Sequence, residues 1–248
     1  MTSKIALITG SSKGLGKAIA VELAKRGYLV VINCKESFGE ATLTKKEIRD
    51  LGYKADVLVG DITKKSKCQE LIKKIVRKYG GIDVLINNAG IFKKQDEMRE
   101  VDEIKFFKTK ISAVINLSDE AIKNKVKSIV NISSVYAISP SFDSRFASAI
   151  QSSVITLTKA YAKKFLNKVQ VNTICPGWME TTMVTSNYDG GVLRKVLKEK
   201  IPINRLIRPE EIATFVPVLV DYPLLTGQTF IFDGGVSFRK LNRKPFNY

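Results

Sequence analysis

The sequence predicts an α/β fold: a parallel sheet with helices on both faces. Three observations carry this. Short β-branched runs alternate with amphipathic stretches along the chain. The runs are almost continuously apolar, as expected of strands covered on both sides. Each pair of runs is separated by a segment with helical periodicity, the crossover that parallel pairing needs. With 248 residues and 44% apolar content, one domain with a single large core is expected.

Strands are expected at Ile5–Thr9, Leu29–Cys34, Ala55–Gly60, Val84–Asn87, Ser128–Ile132, Gln170–Ile174 and Thr229–Asp233. After the first, Leu15, Ala18, Ile19 and Leu23 share one face of a helix over Leu15–Arg26. Gly27 stands where a helix C-terminus takes a left-handed residue. Ser66–Tyr79 repeats the design, with Leu71, Ile72, Ile75 and Val76 inward, Lys73, Lys74, Arg77 and Lys78 outward, and Gly80-Gly81 at its end. Domain bounds of 1–237 are expected. The stretch Phe238–Tyr248 is basic and unpatterned and reads as a tail.

Composition excludes several classes of function. There is no His, which removes Ser-His-Asp hydrolases and zincins. Ser133 and Ser134 also lack a G-x-S-x-G elbow. Cys34, Cys68 and Cys175 are too scattered for a disulfide framework or a zinc cage, and no metal site is expected. Cys175 reads as a buried small hydrophobe. No apolar run approaches the ~20 residues of a membrane span. Met1 leads straight into the first strand with no secretory signal, so a cytoplasmic location is expected. The net charge of +17 would suit nucleic acid or an anionic cofactor. The lysines are dispersed in pairs (Lys45/Lys46, Lys64/Lys65, Lys73/Lys74, Lys93/Lys94, Lys163/Lys164), however, and no nucleic-acid motif joins them. A solvated surface is the expectation.

Thr9-Gly10-Ser11-Ser12-Lys13-Gly14-Leu15-Gly16 follows the first strand and opens the first helix. A glycine-rich turn there lets the backbone approach a pyrophosphate at the helix N-terminus, where free N–H groups and the dipole favour an anion. The spacing, T-G-x-x-x-G-x-G, resembles that of the short-chain dehydrogenase/reductase family. Further segments are similar to the family's in the same order: Gly60-Asp61-Ile62-Thr63, Asn87-Asn88-Ala89-Gly90, Asn131-Ile132-Ser133-Ser134, and Pro176-Gly177 continuing to Thr181. Pro202, Arg205, Pro209-Glu210-Glu211, Thr226-Gly227-Gln228 and Asp233-Gly234-Gly235 extend the likeness, which covers residues 4–236. The motifs lie nearest the 3-oxoacyl-carrier-protein reductases and glucose dehydrogenases.

The resemblance implies a doubly wound, Rossmann-type, seven-stranded parallel sheet. It also implies cofactor contacts at Gly10, Ser12, Lys13, Gly14, Leu15, Gly16, Asn33, Lys35, Asp61, Ile62, Asn87, Ala89, Gly90, Pro176, Gly177 and Thr181. A carboxylate ending the second strand would bind the ribose of NAD and repel a 2′-phosphate. Here that strand runs Val30-Val31-Ile32-Asn33-Cys34-Lys35, and Glu36 comes later. Lys13 lies in the loop, where the family uses a basic residue for the 2′-phosphate, and Lys35 adds a second charge. NADP(H) is therefore favoured over NAD. Trp178–Gly190 matches the family's mobile lid, with Gly190-Gly191 as a hinge.

The family's reaction uses Ser, Tyr, Lys and Asn. The Tyr hydroxyl moves the proton; the Lys, one helical turn on, lowers the Tyr pKa and holds the nicotinamide ribose. Ungapped alignment through Ala147-Ser148-Ala149-Ile150-Gln151 puts Ala147 in the Tyr place and Gln151 in the Lys place. No Tyr-x-x-x-Lys occurs anywhere in the chain. Lys110 takes the Asn place, so Ser134 alone is retained. The expected protein is a family member that binds NADP(H) and is catalytically impaired or inactive. One alternative is an active NADP(H)-dependent ketoreductase using relocated groups such as Lys110 or Tyr136. A second is a basic nucleic-acid binder on the same fold. The family also implies a homodimer or homotetramer, or a hetero-oligomer with a catalytic paralogue.

Overall fold

The computed structural model describes residues 3–91, 97–185, 190–191, 197, 199 and 201–238. Seven strands form one sheet in the order β3-β2-β1-β4-β5-β6-β7, every pair parallel. They are β1 (Ile5–Thr9), β2 (Leu29–Cys34), β3 (Ala55–Val59), β4 (Val84–Asn87), β5 (Ser128–Ile132), β6 (Gln170–Pro176) and β7 (Thr229–Phe232). The third and seventh strands stop one residue short of the expected ends, and the sixth runs two residues further, to Pro176, which pairs with Phe232. Proline is tolerated there because it closes the strand.

The helices are α1 (Gly14–Lys25), α2 (Phe38–Asp50), α3 (Lys65–Tyr79), α4 (Glu100–Phe107), α5 (Ala113–Lys123) and α6 (Arg145–Lys164), followed by the short helices Pro209–Ala213 and Val216–Asp221. Successive side chains of a strand serve opposite faces. In β1, Ala6 and Ile8 join the core under α1, α2 and the two short helices, while Ile5 and Leu7 join the core under α3, α5 and α6. Gly27 takes the left-handed conformation expected of it, with φ +84°. The inward face of α3 is as read, except that Val76 is only partly buried. Among the described residues, no helix is long and apolar enough to cross a membrane.

A seam of buried polar side chains ties the centre of the sheet to α6. Asn87 Nδ2 donates to Asn131 Oδ1 (2.8 Å), and Asn131 Nδ2 donates to Thr158 Oγ1 (2.8 Å). Thr173 Oγ1 meets the same hydroxyl at 2.6 Å. Asn131, Thr158 and Thr173 are wholly buried, so each bond stands in a low-dielectric interior where an orphaned partner is costly. Asn131→Leu is expected to lower unfolding free energy by about 1–3 kcal/mol, because it leaves the buried Asn87 amide with only a 3.3 Å bond to Ser118 Oγ and takes one donor from the Thr158 hydroxyl. The check is a denaturant melt in which the midpoint falls and the slope does not change.

The strand order reverses between β1 and β4, which leaves a crevice beyond their C-terminal ends. In open parallel sheets that is where a ligand binds. Between α4 and α5 the chain makes a π-turn, Lys108–Ser112, so the three segments form one continuous helical stretch with a bulge in its middle. Such bulges concentrate at functional sites.

Candidate dinucleotide and active site

The glycine loop is built by contacts that β1 and β4 make with each other. Thr9 Oγ1 accepts from the backbone N–H groups of Asn88 and Ala89, both at 3.0 Å. Asn88 Nδ2 donates to the carbonyls of Thr9 (2.9 Å) and Gly10 (3.0 Å). Thr44, from α2, donates to the Ser12 carbonyl at 2.9 Å. The fit is close enough to demand glycine twice. A Cβ on Gly16 would lie 2.5 Å from Asn88 Nδ2 and 2.6 Å from the Gly10 carbonyl. On Gly10 it would lie 2.8 Å from Ala89 Cα, at a φ of +61° that L side chains rarely adopt. No side chain caps α1, whose first turn begins at Gly14 after the extended Lys13. Its leading N–H groups and dipole are thus left to an anion.

The remaining loop and adenosine-side residues are distributed as follows. Leu15 is buried in the core under α1. Lys13 is exposed and pairs with Glu40 at 3.1 Å. Lys35 is exposed between Glu36 (3.1 Å) and Asp61 (3.5 Å), and those two carboxylates raise its pKa. Asn33 is buried, and its amide donates to the Leu58 (3.1 Å) and Gly60 (3.3 Å) carbonyls, so its side chain fastens β2 to the end of β3. Its own carbonyl accepts from Ser11 N–H at 3.1 Å, linking that strand end to the loop. Asp61 folds its end of β3 by accepting from Thr63 N–H (3.0 Å) and Thr63 Oγ1 (2.6 Å). Burial pushes the Asp61 carboxyl up, but these bonds and Lys35 outweigh it and hold the pKa below the usual carboxylate range. Ile62 is buried beside it. Val59, Gly60, Asp61, Lys64, Lys67, Glu70, Leu71 and Lys74 line a cavity of about 260 Å³ at this edge.

On the other side of the loop, Thr181 comes within 3.5 Å of where a Gly14 Cβ would stand, so the segment after β6 reaches across to the start of α1. Gly177 packs tightly on Asp233: a Cβ there would lie 2.7 Å from Asp233 Cα. Cys175 is wholly buried, and burial pushes its thiol up to about 11, which leaves it unreactive as expected. Of the lid stretch, Thr182–Thr185 form a helical turn, while 186–189 lie outside the described residues, as do Lys93, Lys94 and the tail from 239. Asp143 and Arg145 are surface residues, with the Arg145 guanidinium over the Phe142 ring.

The four positions aligned with the family's catalytic groups lie on the turn after β5, on α6 and on the π-turn, and α6 packs against both turns. Ser134 follows β5 in an extended conformation and caps the turn Val135–Ala137, accepting from Tyr136 N–H at 3.3 Å. Burial pushes the Tyr136 phenol up, against a hydrogen bond with Ser144, so it is a poorer proton donor than an ordinary tyrosine. Ala147 is half-buried on α6 and presents a methyl group. Gln151, one turn later, is buried; its carbonyl accepts from Ser133 Oγ at 2.8 Å, while its side-chain Oε1 has no hydrogen-bond partner.

Lys110 is the unexpected member. It is 5% exposed, and its Nζ donates to the Ile132 carbonyl at 2.9 Å. Its side chain lies against Gly90: a Cβ there would be 3.0 Å from Lys110 Cε and 3.3 Å from Nζ. Among the described residues no carboxylate offsets its burial, and desolvation lowers its pKa to about 8. Sequence alignment located Lys110. It gave no sign of the π-turn that aims it, or of the stranded Gln151 acceptor, because both depend on how α5 and α6 pack. Thr9 and Asn88, which shape the loop, were marked only as members of the T-G-x-x-x-G-x-G and N-N-A-G strings, and Thr44 was missed altogether.

A glycine loop at the switch point of a parallel sheet, with an uncapped helix behind it, defines a dinucleotide-binding α/β protein. The description of the family model that matches residues 4–190 is short chain dehydrogenase. The chain therefore belongs to the short-chain dehydrogenase/reductase family, whose members bind nicotinamide cofactors. It is 34% identical to nodulation protein G of Azospirillum brasilense, over 96% of this chain and 100% of that one. It is 32% identical to a 3-oxoacyl-acyl-carrier-protein reductase of Thermotoga maritima, over 95% and 98%. Among solved structures, a Burkholderia cenocepacia short chain dehydrogenase in complex with NADP superposes with a TM-score of 0.86 at 27% identity, covering 94% of this chain and 97% of that chain. A variant of a Serratia marcescens short-chain dehydrogenase/reductase gives 0.87 at 28%, covering 94% and 98%.

Proposed function

We propose that this protein binds NADP(H) and has lost most or all of the family's carbonyl-reducing activity. The observation that carries the reading is a contrast between two parts of the chain. The loop keeps the closely packed glycines and uncapped helix N-terminus that a pyrophosphate needs, whereas Ala147 and Gln151 supply neither the phenol nor the ammonium that the chemistry requires. The bound cofactor would supply a hydride. The Gly10–Gly16 backbone and the α1 N-terminus would hold its pyrophosphate, and Asp61, Ile62, Asn87, Ala89, Pro176, Gly177 and Thr181 would lie along it. Reduction without a proton donor forfeits general acid catalysis, roughly 10²–10⁴-fold.

The preference for NADP(H) over NAD(H) rests on Lys13 and Lys35 and on a β2 that ends without a carboxylate. Both lysines are held by exposed carboxylates, and such pairs exchange readily for a doubly charged phosphate. Lys13→Ala/Lys35→Ala is expected to weaken NADPH binding about 10-fold or more and to leave NADH binding unchanged. Calorimetric titration of both cofactors into both proteins tests this, alongside turnover on a panel of ketones. Tight NADPH binding without turnover is the expected result; ready turnover by the unaltered chain would overturn the reading.

One observation favours the active alternative. Lys110, with a pKa of about 8, is the group at this end whose proton exchanges nearest neutral pH. Removing it would abolish any turnover found. Domain bounds of 1–237, with the basic residues beyond as a tail, a cytoplasmic location, and assembly as dimer or tetramer complete the proposal. Exposed Val101, Ile104 and Phe107 on α4 offer an apolar face for assembly.

A further inference from the structure

Folding gathers onto one helix cations that the sequence spaces apart. Lys65, Lys67, Lys73, Lys74, Arg77 and Lys78 all belong to α3, whose one carboxylate is Glu70. By contrast, α2 balances Lys45, Lys46 and Arg49 against Glu40, Glu47 and Asp50. Nearby acids do not neutralise α3. Glu70 is shared by Lys67 and Lys74, both at 2.7 Å, and Asp56 takes Lys78 at 2.6 Å. Among the described residues, Lys73 and Arg77 have no carboxylate partner, nor have Lys64 and Lys65 where the helix begins.

Lys73 and Arg77 stand one turn apart on the side of α3 turned away from the buried Leu71, Ile72 and Ile75, and both are exposed. Ser66 and Gln69 continue their row toward the helix start. A groove of about 380 Å³ follows this row, bordered also by Glu70 and Lys74. It shares those two residues with the cavity at the end of β3, where Lys64 and Lys67 stand, so the two depressions adjoin. Among the described residues, no large apolar side chain is exposed on this helix. The Tyr79 ring at its end is partly buried, with its hydroxyl donating to Asp56. A protein partner would find no apolar or aromatic anchor here, and a single strand would find no open ring to stack on. A duplex backbone needs neither, because cations and polar donors hold its phosphates. We propose that the outer face of α3 docks duplex DNA through its phosphates, without reading sequence. Ser66, Gln69, Lys73 and Arg77 belong to no part of the cofactor site, so this surface is independent of the cofactor reading.

Fluorescence anisotropy of the full chain with a mixed-sequence DNA duplex of about 20 base pairs, over a salt series, tests this. The unaltered chain should bind with micromolar affinity at low salt. Log affinity should fall linearly with log salt, and a second sequence should behave alike. Lys73→Ala/Arg77→Ala should weaken binding about 10-fold and flatten the slope by about two, one for each lost phosphate contact. Gln69→Glu, which sets a carboxylate in the same row, should weaken it as well. Lys163→Ala/Lys164→Ala removes the same charge from the exposed end of α6 and should have little effect. Thermal melts confirm that each variant is folded. Equal losses in the two double variants would mean that the whole net charge of +17 attracts DNA, and would overturn the docking surface. Absence of salt-dependent binding by the unaltered chain would overturn it too. Tighter binding of a single strand or of an RNA duplex would overturn the choice of DNA. Displacement of the duplex by polyglutamate at matched charge would give the face to an acidic protein instead.

Discussion

Ala147→Tyr/Gln151→Lys is expected to raise ketone reduction by about 10²–10⁴-fold over the unaltered chain, with NADPH as reductant. The phenol returns a proton donor to the half-buried position on α6, and the ammonium one turn later lowers its pKa. Ser134 and the glycine loop are already in place. The gain should appear in kcat more than in KM, because the restored interaction forms as the alkoxide develops. Adding Lys110→Asn, the family's residue at that position, tests whether the buried amine obstructs the restored pair. Steady-state rates on a ketone panel decide the matter. A double variant that binds NADPH and still turns over no ketone would place the block elsewhere than in the missing Tyr and Lys.

Lys110→Met should stabilise the fold at neutral pH by up to about 3 kcal/mol, and the gain should fade as pH rises. Burial lowers the folded-state pKa from 10.5 to about 8, so below pH 8 the folded protein bears the full cost of a buried, carboxylate-free cation. Between pH 8 and 10.5 the unfolded chain keeps a proton that the folded chain has released, so wild-type stability rises with pH across that window. A pKa lowered that far corresponds to roughly 3 kcal/mol. Loss of the bond to the Ile132 carbonyl takes back part of it. Paired melts of the two proteins at pH 7 and pH 10 isolate this group from others that titrate in alkali. A gain that is the same at both pH values would mean that packing, rather than charge, is responsible.

Much of this was legible in the chain itself, for identifiable reasons. Strand runs such as Ile5–Thr9 and Ser128–Ile132 are mostly apolar and buried throughout because both faces are covered, and their bounds came out as read. The one-residue discrepancies at β3 and β7, and the extension of β6 to Pro176, fall at strand ends, where the neighbouring strand decides the last bond. Gly10 and Gly16 were legible as glycines, but their reason, Ala89 and Asn88 lying within a bond length or two, belongs to the pairing of β1 with β4. Ala147, Gln151 and Lys110 were singled out by aligning the chain with the motifs of the family it resembles. What Lys110 does was not legible, because the π-turn that turns it inward arises from the packing of α4 and α5 and leaves no residue-level mark. Asn33, which the resemblance implied as a cofactor contact, also has a structural use that only the strand pairing reveals: its amide donates to the Leu58 and Gly60 carbonyls.

The loop's scaffold and the proton-transfer positions stand on different parts of the chain. Thr9, Gly10, Gly16 and Asn88 brace one another across β1 and β4, and none of those bonds involves α6. Residues 147 and 151 can therefore change without disturbing the cradle, whereas a change in the cradle disturbs the strand pairing beneath it. A lineage carrying this architecture can shed its reaction by single substitutions on one helix while its nucleotide handle is kept by the needs of folding.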